Sequence, residues 1–188
     1  MTMRSYLVVL VLLAASPALG QTTITPSQTR LIGCFGEAFT LVEHVWRIAP
    51  KHLSQLTDQA KTAQTDARRQ FLDGFVSAAV ATDQDSAFAV ARNLNGCLDE
   101  ARTTTPDQTT AILAAAVRTE LDSALEDVGD YIAMVHAQED SLRTALRTPA
   151  SDARGSALDS YLTFGTRMRE QLSGLRRQVD AVVTAATP

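Results

Sequence analysis

LDSALEDVGDYIAMVHAQEDSLRTALRTPA, residues 121–150, carries apolar side chains in alternating steps of four and three. Leu121, Leu125, Val128, Ile132, Val135, Leu142 and Leu146 keep that rhythm, and Glu139 stands where the one apolar residue is missing. After the break Thr148-Pro149-Ala150-Ser151-Asp152 the rhythm resumes at Leu158, Tyr161, Gly165, Met168, Leu172, Leu175, Val179 and Val182. Such a repeat puts one apolar stripe along a helix and turns it toward another helix, as in the seam of a coiled coil. Two stripes joined by a short turn predict an antiparallel hairpin, here spanning 106–184. With the turn near Pro149 and Ala150, facing positions should have numbers that sum to about 300. That register sets Val135 opposite Gly165, Ile132 opposite Met168 and Glu139 opposite Tyr161. A carboxylate in an apolar seam needs a donor. Glu139 and Tyr161 are therefore expected to form a hydrogen-bonded polar pair.

The remaining punctuation is also helical. Thr25-Pro26-Ser27-Gln28 places a threonine cap, a proline at the first helical position and a glutamine three residues after the cap. Thr105-Pro106-Asp107-Gln108 repeats the device. Helices are predicted over 26–48, 51–81, 84–101, 106–147 and 151–184. The boundary at Thr82-Asp83 has neither proline nor glycine, so the second and third segments could be separate or continuous. No segment alternates with the period of a strand. The fold class is all-α: an elongated antiparallel bundle of about five helices with a long C-terminal coiled-coil hairpin.

The first segment carries two stripes. One is Leu31, Cys34, Ala38, Leu41, Val45 and Ile48; the other is Phe35, Phe39, Val42 and Trp46. So wide an apolar arc implies packing on several sides. This helix is expected to be the central strut, with Trp46 buried. The second segment presents Leu53, Leu56, Ala60, Ala63, Ala67, Phe71 and Phe75 as one inward stripe.

The chain starts MTMRSYLVVLVLLAASPALGQ, with Arg4 ahead of an apolar run from Tyr6 to Ala15 and small residues at Ala18 and Gly20. This pattern reads as a signal peptide over 1–20, cleaved after Gly20, with one helical domain over 21–188. The run is too short to cross a bilayer, and no later run reaches the roughly 18 to 20 apolar residues of a membrane helix. No membrane span is expected after cleavage. Basic residues are nearly all arginine, with Lys51 and Lys61 the only lysines, and alanine is abundant. That usage suits a GC-rich bacterium and places the chain in the periplasm or outside the cell. Export puts Cys34 and Cys97, the only cysteines, where disulfides persist. Cys34 lies near the start of its helix and Cys97 near the end of its own. A bond between them predicts that the two helices run antiparallel there.

Chemistry is sparsely signposted. The formal net charge of −4 disfavours nucleic-acid binding, which needs a basic footprint. Neither G-x-S-x-G, a P-loop nor a dinucleotide-binding glycine pattern occurs, and no catalytic residue, metal ligand or cofactor is nominated. His136 and Glu139, three apart on one helical face, form the one weak candidate site. Met134 and Met168 read as core filler. The acidic run of Glu120, Asp122, Glu126, Asp127 and Asp130 should meet the basic run of Arg167, Arg169, Arg176 and Arg177 across the hairpin. Arg143, Arg147 and Arg154 cluster at its turn as a candidate contact for an anionic partner.

The function expected from these features is that of an exported, periplasmic, non-enzymatic helical bundle. It would act by protein–protein contact in the cell envelope, as an adaptor, chaperone or assembly subunit. Another envelope protein is the expected partner, and self-association into a homo-oligomer is left open. The alternative is a soluble, sensor-like bundle that holds a small ligand between its helices.

Overall fold

The computed structural model describes residues 24–47, 51–102, 107–147 and 157–186, without the side chains of 44–47, 51 and 52. Five helices follow in order: α1 Pro26–Arg47, α2 Lys51–Thr62, α3 Asp66–Ala101, α4 Gln108–Leu146 and α5 Ala157–Ala186. There is no strand among the described residues.

Local chemistry sets the helix starts. At α1 the capping box forms: Gln28 N–H donates to Thr25 Oγ1 at 3.2 Å, and Thr25 N–H donates to Gln28 Oε1 at 3.0 Å. At α4 the cap is Asp107, whose Oδ1 accepts from Thr110 N–H at 2.6 Å, rather than the expected Thr105. A carboxylate adds charge to the same hydrogen bond at the positive end of the helix. Gln28 Nε2 donates to the other oxygen of Asp107 at 2.7 Å, which ties the starts of α1 and α4 together. At α5 the first described N–H, of Ala157, is accepted by Asp73 Oδ1 of α3 at 2.9 Å. The expected start near 151 and the turn at Pro149–Ala150 lie outside the described residues.

The hairpin is formed. Arg176 Nε donates to Asp122 Oδ1 at 2.5 Å, and Arg118 pairs with Asp180 at 3.9 Å. Both contacts cross from α4 to α5 at a register sum of 298 (122 + 176 and 118 + 180). Every seam residue read for α5, from Leu158 to Val182, is buried. On α4 the row Leu121, Val128, Val135 and Leu142 is buried as expected. The second row is instead Ala124, Tyr131 and Ala145, while Leu125, Ile132 and Leu146 are half-buried beside it. The reason is that α4 packs against α5 on one side and α1 and α2 on the other. Its apolar stripe is three columns wide, and the innermost extra column holds small residues and a tyrosine.

α1 is thus not the central strut. Among the described residues α3 and α4 each touch all four other helices, whereas α1 packs on α3 and α4 alone. The Cys34–Cys97 disulfide joins α1 to α3 with Cα atoms 5.6 Å apart, and Arg30 of α1 pairs with Glu100 of α3 beside it. These contacts fit the expected antiparallel course. α3 and α5 run parallel. The Ser77 and Ser160 hydroxyls lie 3.0 Å apart, and near the other end Gln178 Nε2 donates to Asn95 Oδ1 at 2.8 Å. α2 continues the path of α1 along α4. The molecule is therefore a four-column bundle of two antiparallel hairpins, α1–α2 with α3 and α4 with α5, laid side by side. The burial of Trp46 falls on a side chain outside those described.

The segments expected at 51–81 and 84–101 are divided elsewhere. The chain breaks at 63–65 and α3 then runs through Thr82-Asp83 without interruption. Thr65 makes the break by capping α3, its side chain accepting from Arg68 N–H at 3.3 Å. The restart rotates the helix. Leu53, Leu56, Ala60 and Ala63 are buried as read, but the inward positions become Arg69, Leu72, Val80, Ala87, Ala91, Leu94, Leu98 and Ala101. Ala67, Phe71 and Phe75 are turned outward.

Candidate interaction surface and a basic end cavity

That rotation turns two phenylalanine side chains to the surface. Phe71 is 59% exposed and Phe75 65% exposed. One helical turn apart, they stack with ring centroids 6.2 Å apart and planes inclined by 17°. The Arg68 guanidinium lies 5.2 Å from the Phe71 centroid, a cation–π contact. Between 67 and 82 the exposed positions of α3 are Ala67, Arg68, Gln70, Phe71, Gly74, Phe75, Ala78, Ala79, Ala81 and Thr82. Only Arg68 among them is charged, so the aromatic pair sits on an almost uncharged helical face. Surface phenylalanines scattered singly need no explanation, whereas this pair is adjacent and stacked on a face with one charge. The inward stripe read from the sequence held both residues but gave them the wrong side, because the break at Thr65 went unseen.

A cavity of ≈ 500 Å³ opens at the far end of the bundle, between the end of α2, the start of α3 and the last turns of α4. Ala60, Lys61, Arg69, Asp140, Ser141, Thr144, Ala145 and Arg147 line it. Arg69 is 7% exposed. Its Nη1 donates to Asp66 Oδ1 at 2.5 Å and its Nη2 to the Ala63 carbonyl at 2.6 Å, while its buried Nε has no partner. Arg147 caps α4 in the left-handed conformation, with φ 54° and ψ 34°, and reaches Asp66 Oδ1 at 3.8 Å. Sequence reasoning found Arg147. It missed Arg69 and Lys61, which only the fold of α2 and α3 brings there.

The other candidate residues are placed as follows. Glu139 and Tyr161 do not hydrogen-bond. Glu139 Oε1 accepts from Arg143 Nε at 3.0 Å and Nη2 at 2.7 Å, and Oε2 lies 3.3 Å from His136 Nδ1. These contacts, the Arg143 hydrogen bonds first, hold the Glu139 carboxyl below the usual glutamate range. Glu139 belongs to the flanking column with Leu125, Ile132 and Leu146, half-buried at the edge of the seam. Tyr161 is buried with its hydroxyl unpartnered, and burial, aided by the Asp83 carboxylate, pushes that hydroxyl up to about 12. The polar contact in the seam comes from Tyr131, whose hydroxyl donates to the Tyr161 carbonyl at 3.2 Å. His136 and Glu139 thus share a face as read, on the surface and within a chain of polar contacts to Arg143. Arg143 is engaged there and does not line the cavity. Arg154 lies outside the described residues. Met168 is core, but Met134 is 40% exposed and fills no core space. No group of three metal-ligating side chains occurs among the described residues. No described helix is long and apolar enough to cross a membrane.

Comparison of the chain with protein-family models, with curated proteins and with solved structures found no match.

Proposed function

We propose that this all-α bundle is an exported, non-enzymatic protein of the cell envelope. It docks another protein through the outer face of α3 around Phe71 and Phe75. The observation that carries the reading is the stacked, solvent-facing aromatic pair beside a single cation. Rigid aromatic side chains give large contact area at low entropic cost, and they dominate binding energy when desolvated. Arg68 adds a chemical requirement: the partner should present apolar side chains with a carboxylate beside them. The apolar leader of residues 1–20 supports export, and the Cys34–Cys97 bond is compatible with an oxidising compartment.

Site-specific photo-crosslinking in intact cells tests this. A photoreactive residue at Phe71 should trap one recurrent envelope protein in the soluble exported fraction. The same group at Glu126, on the exposed side of α4, should not. Phe75→Ala should abolish the Phe71 crosslink. Crosslinks only to a second copy of the chain, or none, would overturn the reading, as would retention of the chain in the cytoplasm with residues 1–20 still attached.

A further inference from the structure

We propose that the basic cavity at the α2–α3–α4 end binds the phosphate group of a small molecule or lipid headgroup. Three cationic side chains from three helices line it, Lys61, Arg69 and Arg147, with the hydroxyl residues Ser141 and Thr144. A volume of ≈ 500 Å³ falls within the range of small-molecule sites. Six of the eight lining residues carry a polar or charged group.

The cations are incompletely neutralised. Lys61 meets Asp58 only at 3.9 Å and Arg147 meets Asp66 only at 3.8 Å. Asp66 is already taken by Arg69 at 2.5 Å. Arg69 is nine-tenths buried and its Nε–H has no acceptor, although a buried donor without a partner is costly. An oxyanion in the cavity would accept from guanidinium N–H groups of Arg69 beyond the two bonded to Asp66 and the Ala63 carbonyl. Thr65 and Asp66 place the N-terminal end of the 36-residue α3 beside Arg69, which adds the partial positive charge of the helix. Donors from three directions suit an oxyanion with three or more terminal oxygens better than a planar carboxylate. Asp140, the one acid in the lining, selects against a second anionic group on its side and favours a hydroxylated remainder.

The test uses the purified mature chain. Glycerol 3-phosphate is titrated calorimetrically, with succinate as the planar-carboxylate control. Flotation with vesicles containing phosphatidylglycerol is measured in parallel. Arg147→Asn removes the cation and keeps a residue that tolerates the left-handed cap. Lys61→Gln removes the second charge on an exposed site, and circular dichroism checks the fold of both variants. Binding of glycerol 3-phosphate weakened roughly tenfold by each variant supports the site with a soluble ligand. Flotation lost in both variants, without soluble binding, supports it with a lipid headgroup. Failure of the wild-type chain in both assays, equal binding of succinate, or binding unchanged in both variants overturns the proposal. Phe71→Ala should leave these readings unaltered, so the outcome is separate from that of the docking surface.

Discussion

Gly165 passes so close to Ile132 that a Cβ on the glycine would sit 2.7 Å from Ile132 Cγ1, and 3.3 Å from two ring atoms of Tyr131. The hairpin is drawn together at this point. Alanine would gain up to about 1 kcal/mol of helix propensity over glycine. Overpacking against a branched side chain and a buried ring costs about 1 to 3 kcal/mol. The clash should win, because Ile132 Cγ1 is anchored next to the backbone and the Tyr131 ring is buried. Gly165→Ala should therefore destabilise by about 1 to 2 kcal/mol in urea unfolding. Ile132→Ala in the same chain should recover part of that loss. A double-mutant cycle with no favourable coupling would show that the helices do not touch there.

Cys34 and Cys97 close a loop with a sequence separation of 63. On the chain-entropy view such a bond stabilises by about 4 kcal/mol through the unfolded state. Cys34→Ala with Cys97→Ala should lower stability by about 2 to 4 kcal/mol with little change in the helical signal. Labelling of the unfolded, unreduced wild-type protein should find no free thiol. Two reactive thiols would remove the bond from the molecule.

Asp107 links three pieces of local chemistry: the cap of α4, the side chain of Gln28 and a carboxyl held below the usual range chiefly by the Thr110 N–H. Asp107→Ala should cost about 1 kcal/mol, and Asp107→Asn less, since asparagine caps nearly as well. A carboxylate with a lowered folded value stabilises above its ordinary value and loses that contribution as pH falls through the folded one. The gap between wild type and Asp107→Asn should therefore shrink on the acid side of 3.8. A gap that widens with acid would contradict the cap.

Legibility followed periodicity. The α5 seam was readable because Leu158 through Val182 repeat along one unbroken helix, but Phe164, buried against Phe88 of α3 and Tyr131 of α4, stands outside that repeat. On α4 only the row shared by both interfaces was readable. Ala124 and Tyr131 gave way to Leu125 and Ile132 because hydrophobicity cannot rank columns of a stripe that is buried on two sides. The Cys34–Cys97 bond followed from cysteine count and compartment. The surface around Phe71 was hidden for a different reason. The break at Ala63-Gln64-Thr65 lacks glycine and proline, and one threonine cap changed the phase of the next 36 residues. Thr65 followed by Asp66 was the available signal, a capping residue with an acid in the first turn. Of the end cavity, only Arg147 was legible. The cavity needs Lys61, Arg69 and Arg147 from three helices whose proximity depends on the bundle order.

Phe71 and Phe75 separate stability from binding. Both are mostly exposed, so Phe71→Ala or Phe75→Ala should alter unfolding free energy by less than about 1 kcal/mol. Replacing both with lysine should leave the bundle as stable and make it more soluble at high concentration, since an exposed aromatic pair promotes association. Thermal unfolding and light scattering of the three variants check this. A loss above about 3 kcal/mol for either alanine variant would mean that the rings are core.

Glu139 decides between a register device and a surface pair. The carboxylate accepts two hydrogen bonds from Arg143, one turn onward, and lies beside His136 on a partly exposed flank of α4. Pairs of this kind contribute a few tenths of a kcal/mol to about 1 kcal/mol, with side-chain entropy and solvent screening working against them. Glu139→Gln should thus reduce stability by about 0.5 kcal/mol near neutral pH. The folded value is lowered, so the contribution is complete above the ordinary glutamate value of 4.5 and disappears as pH falls through the folded value. Urea midpoints of wild type and Glu139→Gln should converge in acid and separate again when the pH is raised. Glu139→Leu should stay within about 1 kcal/mol of wild type, because Leu125, Ile132 and Leu146 in the same column are also half-buried. A carboxylate held inside the seam would behave otherwise. Breaking its pairing would cost about 3 kcal/mol or more, and a leucine in its place would be stabilising. Either result would return Glu139 to the interface between α4 and α5, facing the unpartnered hydroxyl of Tyr161.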